Sequence, residues 1–230
     1  ATVDAMLEDP RAHAGIRTFF SDMLRLSELD AVLKDSTVYP QAVSTFGQSA
    51  REGTLRFIEY HVFETRGDYR DLLTSRETFV DPLLAIVYRV PAPNLEGFGR
   101  VTLPVESRRR GLLGQASILA LHSHAVTTSA TLRGLFVRET LLCGEIPDPP
   151  PGVVTVIPEA TGDTPTLRDR VAIHLQDPVC SSCHALMDPI GLSLEQFDAI
   201  GQFRTEEGGA VIDASGSVVG PTQRTRAPSA

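Results

Sequence analysis

The chain has 230 residues, 42% of them hydrophobic, and a formal net charge of −8. That is enough apolar material for one large core or two small ones, and the acidic balance argues against a nucleic-acid partner. No apolar run approaches the ~18 residues that a transmembrane helix needs, and 3 cysteines are too few for a disulfide scaffold.

In chain order, the first half reads as helical. No signal peptide opens it; Ala1-Thr2-Val3 reads as the interior of a domain, and the expectation is a fragment of a longer precursor. Ile16, Phe19, Phe20 and Met23 form one apolar helical stripe, and Leu29, Val32 and Leu33 repeat the pattern. Val43, Phe46, Ala50, Ile58 and Val62 predict a longer amphipathic helix, with His13 and His61 on solvent-facing sides. Asp81-Pro82 opens another helix within the apolar stretch Phe79 to Val90. Residues 91–107, rich in Pro and Gly, form a loop in which Arg100-Val101-Thr102-Leu103 can be a strand. The run Arg108-Arg109-Arg110 reads as a solvated basic face.

Helices follow near 111–122 and 131–142, the second ending at Cys143, read as a small buried thiol. Pro147-Asp148-Pro149-Pro150-Pro151-Gly152 is a stiff extended connector, because consecutive prolines fix φ and remove backbone donors. A helix is predicted over Thr166 to Gln176, with Thr164 or Thr166 near its N-cap. Asp188-Pro189-Ile190-Gly191 reads as a turn and 192–199 as a short helix, on which Glu195 and Asp198 share a face. The tail from Ala210 to Val219 alternates like a small hairpin.

Cys180-Ser181-Ser182-Cys183-His184 has the C-x-x-C-H spacing of covalent c-type haem attachment. Two residues between the cysteines let both sulfurs reach the two vinyl groups on one porphyrin edge. The next residue brings its imidazole under the ring as the proximal iron ligand. A redox dithiol or half of a zinc site uses the same C-x-x-C. The chain has no second cysteine pair for zinc, and the flanks are helical rather than βαβ.

From His174 through Met187-Asp188-Pro189-Ile190-Gly191 to Glu195-Gln196-Phe197-Asp198-Ala199-Ile200-Gly201-Gln202-Phe203-Arg204, the sequence resembles the cytochrome domain of the planctomycete-type cytochrome family. Gly111-Leu112-Leu113-Gly114-Gln115-Ala116-Ser117, Thr128-Ser129, Arg133-Gly134 and Leu141-Leu142-Cys143 resemble the first part of the same domain. Residues 1–105 resemble the helical domain of unknown function that precedes it, and Ile212 to Gly216 the opening of a third domain. One departure stands at Ser129-Ala130-Thr131, where the family usually has Ser-Pro-Val.

The resulting expectation is a mainly α chain. A helical domain spans 1–105, a small helical c-type cytochrome domain with the proline-rich connector spans 106–205, and 206–230 starts a further segment with a short β-hairpin. The resemblance implies an exported bacterial protein, periplasmic or on the cell surface. It would carry one haem c and its iron, and work in electron transfer with a redox partner protein or a larger exported complex. An accessory haem subunit and a peroxidase-like enzyme are the alternatives. Cys180 and Cys183 hold the haem and His184 binds its iron. The sixth ligand is open between His174, His122, His124 and Met187, an unfilled position, or a ligand from another chain. The resemblance nominates Arg133 and Arg204 as partners of the haem propionates.

Overall fold

The computed structural model describes residues 2–65, 67–147, 157, 159–176 and 178–218, so all but Pro147 of the proline connector falls outside it. The fold is mainly α, about 49% helical, with two small two-stranded sheets. The chain forms two compact units: residues 1–129 with 196–206, and residues 130–195 with 207–230.

The first unit begins with α1 (Thr2–Leu7) and α2 (Pro10–Met23). Asp9 caps α2 by accepting the Arg11 N–H, with Pro10 in the first helical position. The α2 face is more polar than its apolar stripe predicts. Phe19 is exposed, while Arg17 is half-buried and pairs with Glu52 and Glu59. Leu26–Ala31 is a 3-10 turn that buries Leu26 and Leu29 and leaves Leu33 in solvent.

Then come α3 (Phe46–Glu59), α4 (Asp71–Thr74), β1 (Glu77–Val80), α5 (Pro82–Tyr88), β2 (Gly99–Thr102) and α6 (Ala116–Leu121). Strands β1 and β2 are antiparallel, in the register Glu77↔Thr102 to Val80↔Gly99. Asp81 caps α5 as predicted: one carboxylate oxygen accepts the Leu84 N–H at 2.8 Å, the other the Ser49 hydroxyl at 2.6 Å. The apolar core joins Phe46 and Ala50 of α3, Val80, Leu84, Val87, Leu103, Ala116 and Ala120 to Ala199 and Ile200 from the returning segment.

Two further expectations fail in this unit. His61 is buried, with Nδ1 at 2.8 Å from the Phe57 carbonyl and its ring against Phe57 and Tyr60. The helix widens to a π turn over Tyr60–Glu64, and the extra residue per turn rotates the side-chain pattern that a 3.6-residue count puts in solvent. The arginine run is not a uniform solvated face either, because Arg109 is 1% exposed. Its guanidinium donates to the Gly114 and Gly201 carbonyls and lies 4.0 Å from the Tyr88 ring centre and 4.7 Å from that of Phe197. Burial pushes Arg109 down to about 10, so it stays a cation at neutral pH.

The second unit holds α7 (Ala130–Phe136), α8 (Leu167–Val171) and α9 (Pro178–Leu192). Thr166 caps α8 in a reciprocal box: its hydroxyl oxygen accepts the Asp169 N–H, and the Asp169 carboxylate accepts the Thr166 N–H at 3.0 Å. Ala130, Leu167, Val171 and Leu192 form a small apolar cluster. Around it Arg170 pairs with Glu207 at 2.7 Å, and buried Arg133 lies 3.6 Å from buried Glu195 and donates to the Leu194 carbonyl.

Cys143 is exposed, contrary to the buried-thiol reading. It takes a left-handed φ of +52° where a π turn at Val137–Leu141 ends, which carries the chain outward. The hairpin is β3 (Glu206–Glu207) with β4 (Ala210–Val211), earlier than the tail alternation predicts. Gly208 and Gly209, both at positive φ, supply the turn that a two-residue hairpin needs.

Candidate functional site

The C-x-x-C-H residues lie on α9, which runs unbroken from Pro178 through Asp188-Pro189-Ile190-Gly191 to Leu192. The predicted turn at 188–191 is therefore helix. Proline in a last turn removes one backbone bond but not those before it. Gly191 keeps a non-positive φ; a Cβ there would meet the Ala130 carbonyl oxygen at 1.8 Å. This glycine serves close helix packing, not an unusual backbone angle. The predicted helix at 192–199 is also absent. Asp198 instead closes a turn by accepting the Ile200 and Gln202 N–H groups at 3.0 and 2.8 Å, and Gly201 follows at φ +87°. Glu195 and Asp198 therefore do not share a helix face: Glu195 is buried near Arg133, and Asp198 shapes a loop.

Helical continuity decides the geometry of the site. Cys180, Cys183, His184, Met187, Asp188 and Gly191 fall at i, i+3, i+4, i+7, i+8 and i+11, which is one stripe of α9. Its C-terminal half is buried: Met187, Asp188 and Gly191 are closed over by α7. A Cβ on Gly134 would meet the Met187 carbonyl oxygen at 1.9 Å, so the two helices touch backbone to backbone. Toward the N-terminal half, Cys180, Cys183 and His184 are half-buried.

His184 and Asp188, one helical turn apart, are joined at 2.9 Å between Nδ1 and a carboxylate oxygen. Asp188 is fully buried and accepts a second bond at 2.8 Å from the Thr131 hydroxyl of α7. Thr131 is, with Ala130, one of the two positions at which Ser129-Ala130-Thr131 departs from Ser-Pro-Val. A carboxylate at Nδ1 orients the ring and assigns metal ligation to Nε2. Sequence reasoning named Asp188 only as part of a turn and missed its bonds to His184 and Thr131. The signal was present in the four-residue spacing of His184 and Asp188, and it was hidden by reading Asp-Pro-x-Gly as a turn.

The donor set suits a porphyrin better than a bare metal ion. A zinc site needs three or four converging protein ligands, and among the described residues no group of three or more His, Cys, Asp or Glu could hold one. A porphyrin supplies four nitrogens itself. One imidazole and two thiols at the ring edge, all on one helical stripe, are then sufficient.

The remaining candidates lie on separate elements. Met187 is buried on the same stripe as His184. His174 lies in the 3-10 turn Ala172–Leu175, and its side chain is outside the described residues. His122 and His124 belong to the first unit, at the end of α6, where Lys34 donates to the Ala120, Ser123 and His124 carbonyls. Arg204, also in the first unit, lies 3.4 Å from the Thr128 hydroxyl.

Comparison with known proteins adds two matches. Residues 109–207 match the family PSCyt3, a protein of unknown function (DUF1588), and residues 1–90 match PSD4, a protein of unknown function (DUF1592). Both are associated with cytochrome domains of planctomycetes. No curated protein and no solved structure matches the chain.

Proposed function

We propose that this chain is a c-type cytochrome with one covalent haem, working in electron transfer in an exported protein. The observation that carries the reading is the α9 stripe, on which Cys180, Cys183 and His184 stand together with Nδ1 of the histidine bound to a buried carboxylate. The two cytochrome-associated family matches support it.

In this reading Cys180 and Cys183 would hold the haem through two thioethers, each formed by addition of a thiol across a vinyl group. His184 would be the iron ligand through Nε2, held in orientation by Asp188. Haem iron, when bound, supplies a one-electron couple whose potential follows from the axial ligands and burial. Met187 sits on the helix that carries the proximal ligand and is buried toward α7. Because Met187 shares a helix with His184, His174, His122 and His124 would be the sixth-ligand candidates ahead of it, beside an unfilled position or a ligand from another chain. Arg133 and Arg204 both remain candidate propionate partners; Arg133 is engaged by Leu194 and Glu195, and Arg204 by Thr128. The physiological partner is a redox protein or a larger exported assembly, and the location is periplasmic or cell-surface.

Optical and paramagnetic resonance spectra of the haem-loaded chain test the electron-transfer role. A low-spin, six-coordinate iron that resists carbon monoxide is the expected result. A high-spin iron that binds carbon monoxide readily would favour a peroxidase-like enzyme. Substitutions His174→Ala, His122→Ala, His124→Ala and Met187→Ala then identify the sixth ligand by conversion to high spin.

A further inference from the structure

Asp188 is fully buried and sits in a setting that a surface helix pair lacks. An i, i+4 pair on a solvated helix face is weak and leaves the carboxylate hydrated. Here one carboxylate oxygen faces His184 Nδ1 at 2.9 Å, and the other accepts from Thr131 of a different helix at 2.8 Å. Helices α7 and α9 are locked at that point by Gly134 against the Met187 backbone and Gly191 against the Ala130 backbone. The carboxylate therefore has one place to be.

We infer that Asp188 is a positioning residue for His184, fixing its Nδ1–H tautomer and strengthening Nε2 as an iron ligand, and that Thr131 moderates this effect. The inference rests on the haem reading above. A carboxylate that accepts the Nδ1 proton pushes electron density onto the ring, raises the basicity of Nε2 and favours ferric over ferrous iron. The Thr131 hydroxyl draws on the same carboxylate charge. The two residues consequently act on the potential with opposite signs. A bracing role alone would give both removals the same direction or no effect.

Nitrogen-15 NMR of the haem-free chain labelled at histidine, followed by midpoint potentials of the haem-loaded protein, tests this. In the wild type, His184 carries its proton on Nδ1. Thr131→Val keeps that tautomer and lowers the potential. Asp188→Asn loses the tautomer preference and raises the potential. Should Asp188→Asn fail to fold, the Thr131→Val shift decides. A proton on Nε2 in the wild type, an unchanged potential in Thr131→Val, or shifts of the same sign in both variants overturns the inference. Where the chain takes up no haem but His184 keeps its Nδ1 proton, the cytochrome reading fails and the positioning role of Asp188 stands.

Discussion

In the first unit the polar groups are enclosed by their own neighbours. Gln115 accepts from the Thr78 and Tyr88 hydroxyls, Tyr88 receives the Ala116 N–H, and Arg109 is sandwiched between rings while donating to two carbonyls. In the second unit one chain of polar groups leads outward along α9, beside the Arg133–Glu195 and Arg170–Glu207 pairs. Thr131 holds Asp188, Asp188 holds His184, and the stripe ends in two half-buried thiols. One region uses burial to finish a scaffold. The other buries a carboxylate against an imidazole. The second also has a small apolar cluster, so in the proposed account covalent haem supplies part of its stability, as ligand binding does in other small domains.

The sharpest way to break the comparison is to separate α7 from α9. Gly134→Ala and Gly191→Ala each drive a Cβ into a backbone carbonyl that cannot rotate away. Each should destabilise the second unit by about 3 kcal/mol in urea unfolding, the upper end for overpacking. Near-wild-type unfolding would show that the stripe is not built on that contact. Next in size is Arg109→Met, which leaves the Gly114 and Gly201 carbonyls buried without their donor. A loss of about 2 kcal/mol is expected, with haem uptake retained because the damage lies in the first unit.

A smaller effect is expected at the α8 cap. Thr166→Ala should cost about 1 kcal/mol. Hydrogen bonds from Thr166 hold the Asp169 carboxyl below its usual range. A depressed carboxylate contributes stability that is complete above the unfolded value near 4 and is lost as pH falls through the lower folded value. Asp169→Asn should therefore flatten the acid limb of the stability–pH curve below about pH 4. Smallest of all is Gly15→Ala in α2, where a Cβ would meet nothing within 4 Å. A gain of about 0.5 kcal/mol is expected from helix propensity alone.

How far the sequence was legible follows the same division. Capped helices were readable because their signals are local: Asp81-Pro82 for α5, Thr166 for α8. The spacing of Cys180, Cys183 and His184 was readable as a motif, and the haem assigned to it is the proposal. What escaped depended on tertiary context. Gly191 looks like a turn residue until the Ala130 backbone is placed against it, and Arg109 looks like a surface charge until Tyr88 and Phe197 close over it. His61 was misread because a π turn changes the period on which the reading relies. Asp188 was hidden twice, by the apparent turn and by a partner 57 residues away in sequence.

The central claim is a covalent haem on α9, and one measurement tests it most directly. The chain is produced together with c-type haem maturation machinery, extracted with acid–acetone, and weighed intact. The account predicts a polypeptide heavier by one haem, with colour retained, and loss of that attachment in Cys180→Ala/Cys183→Ala. A chain of apoprotein mass whose colour passes wholly into the acetone would contradict it.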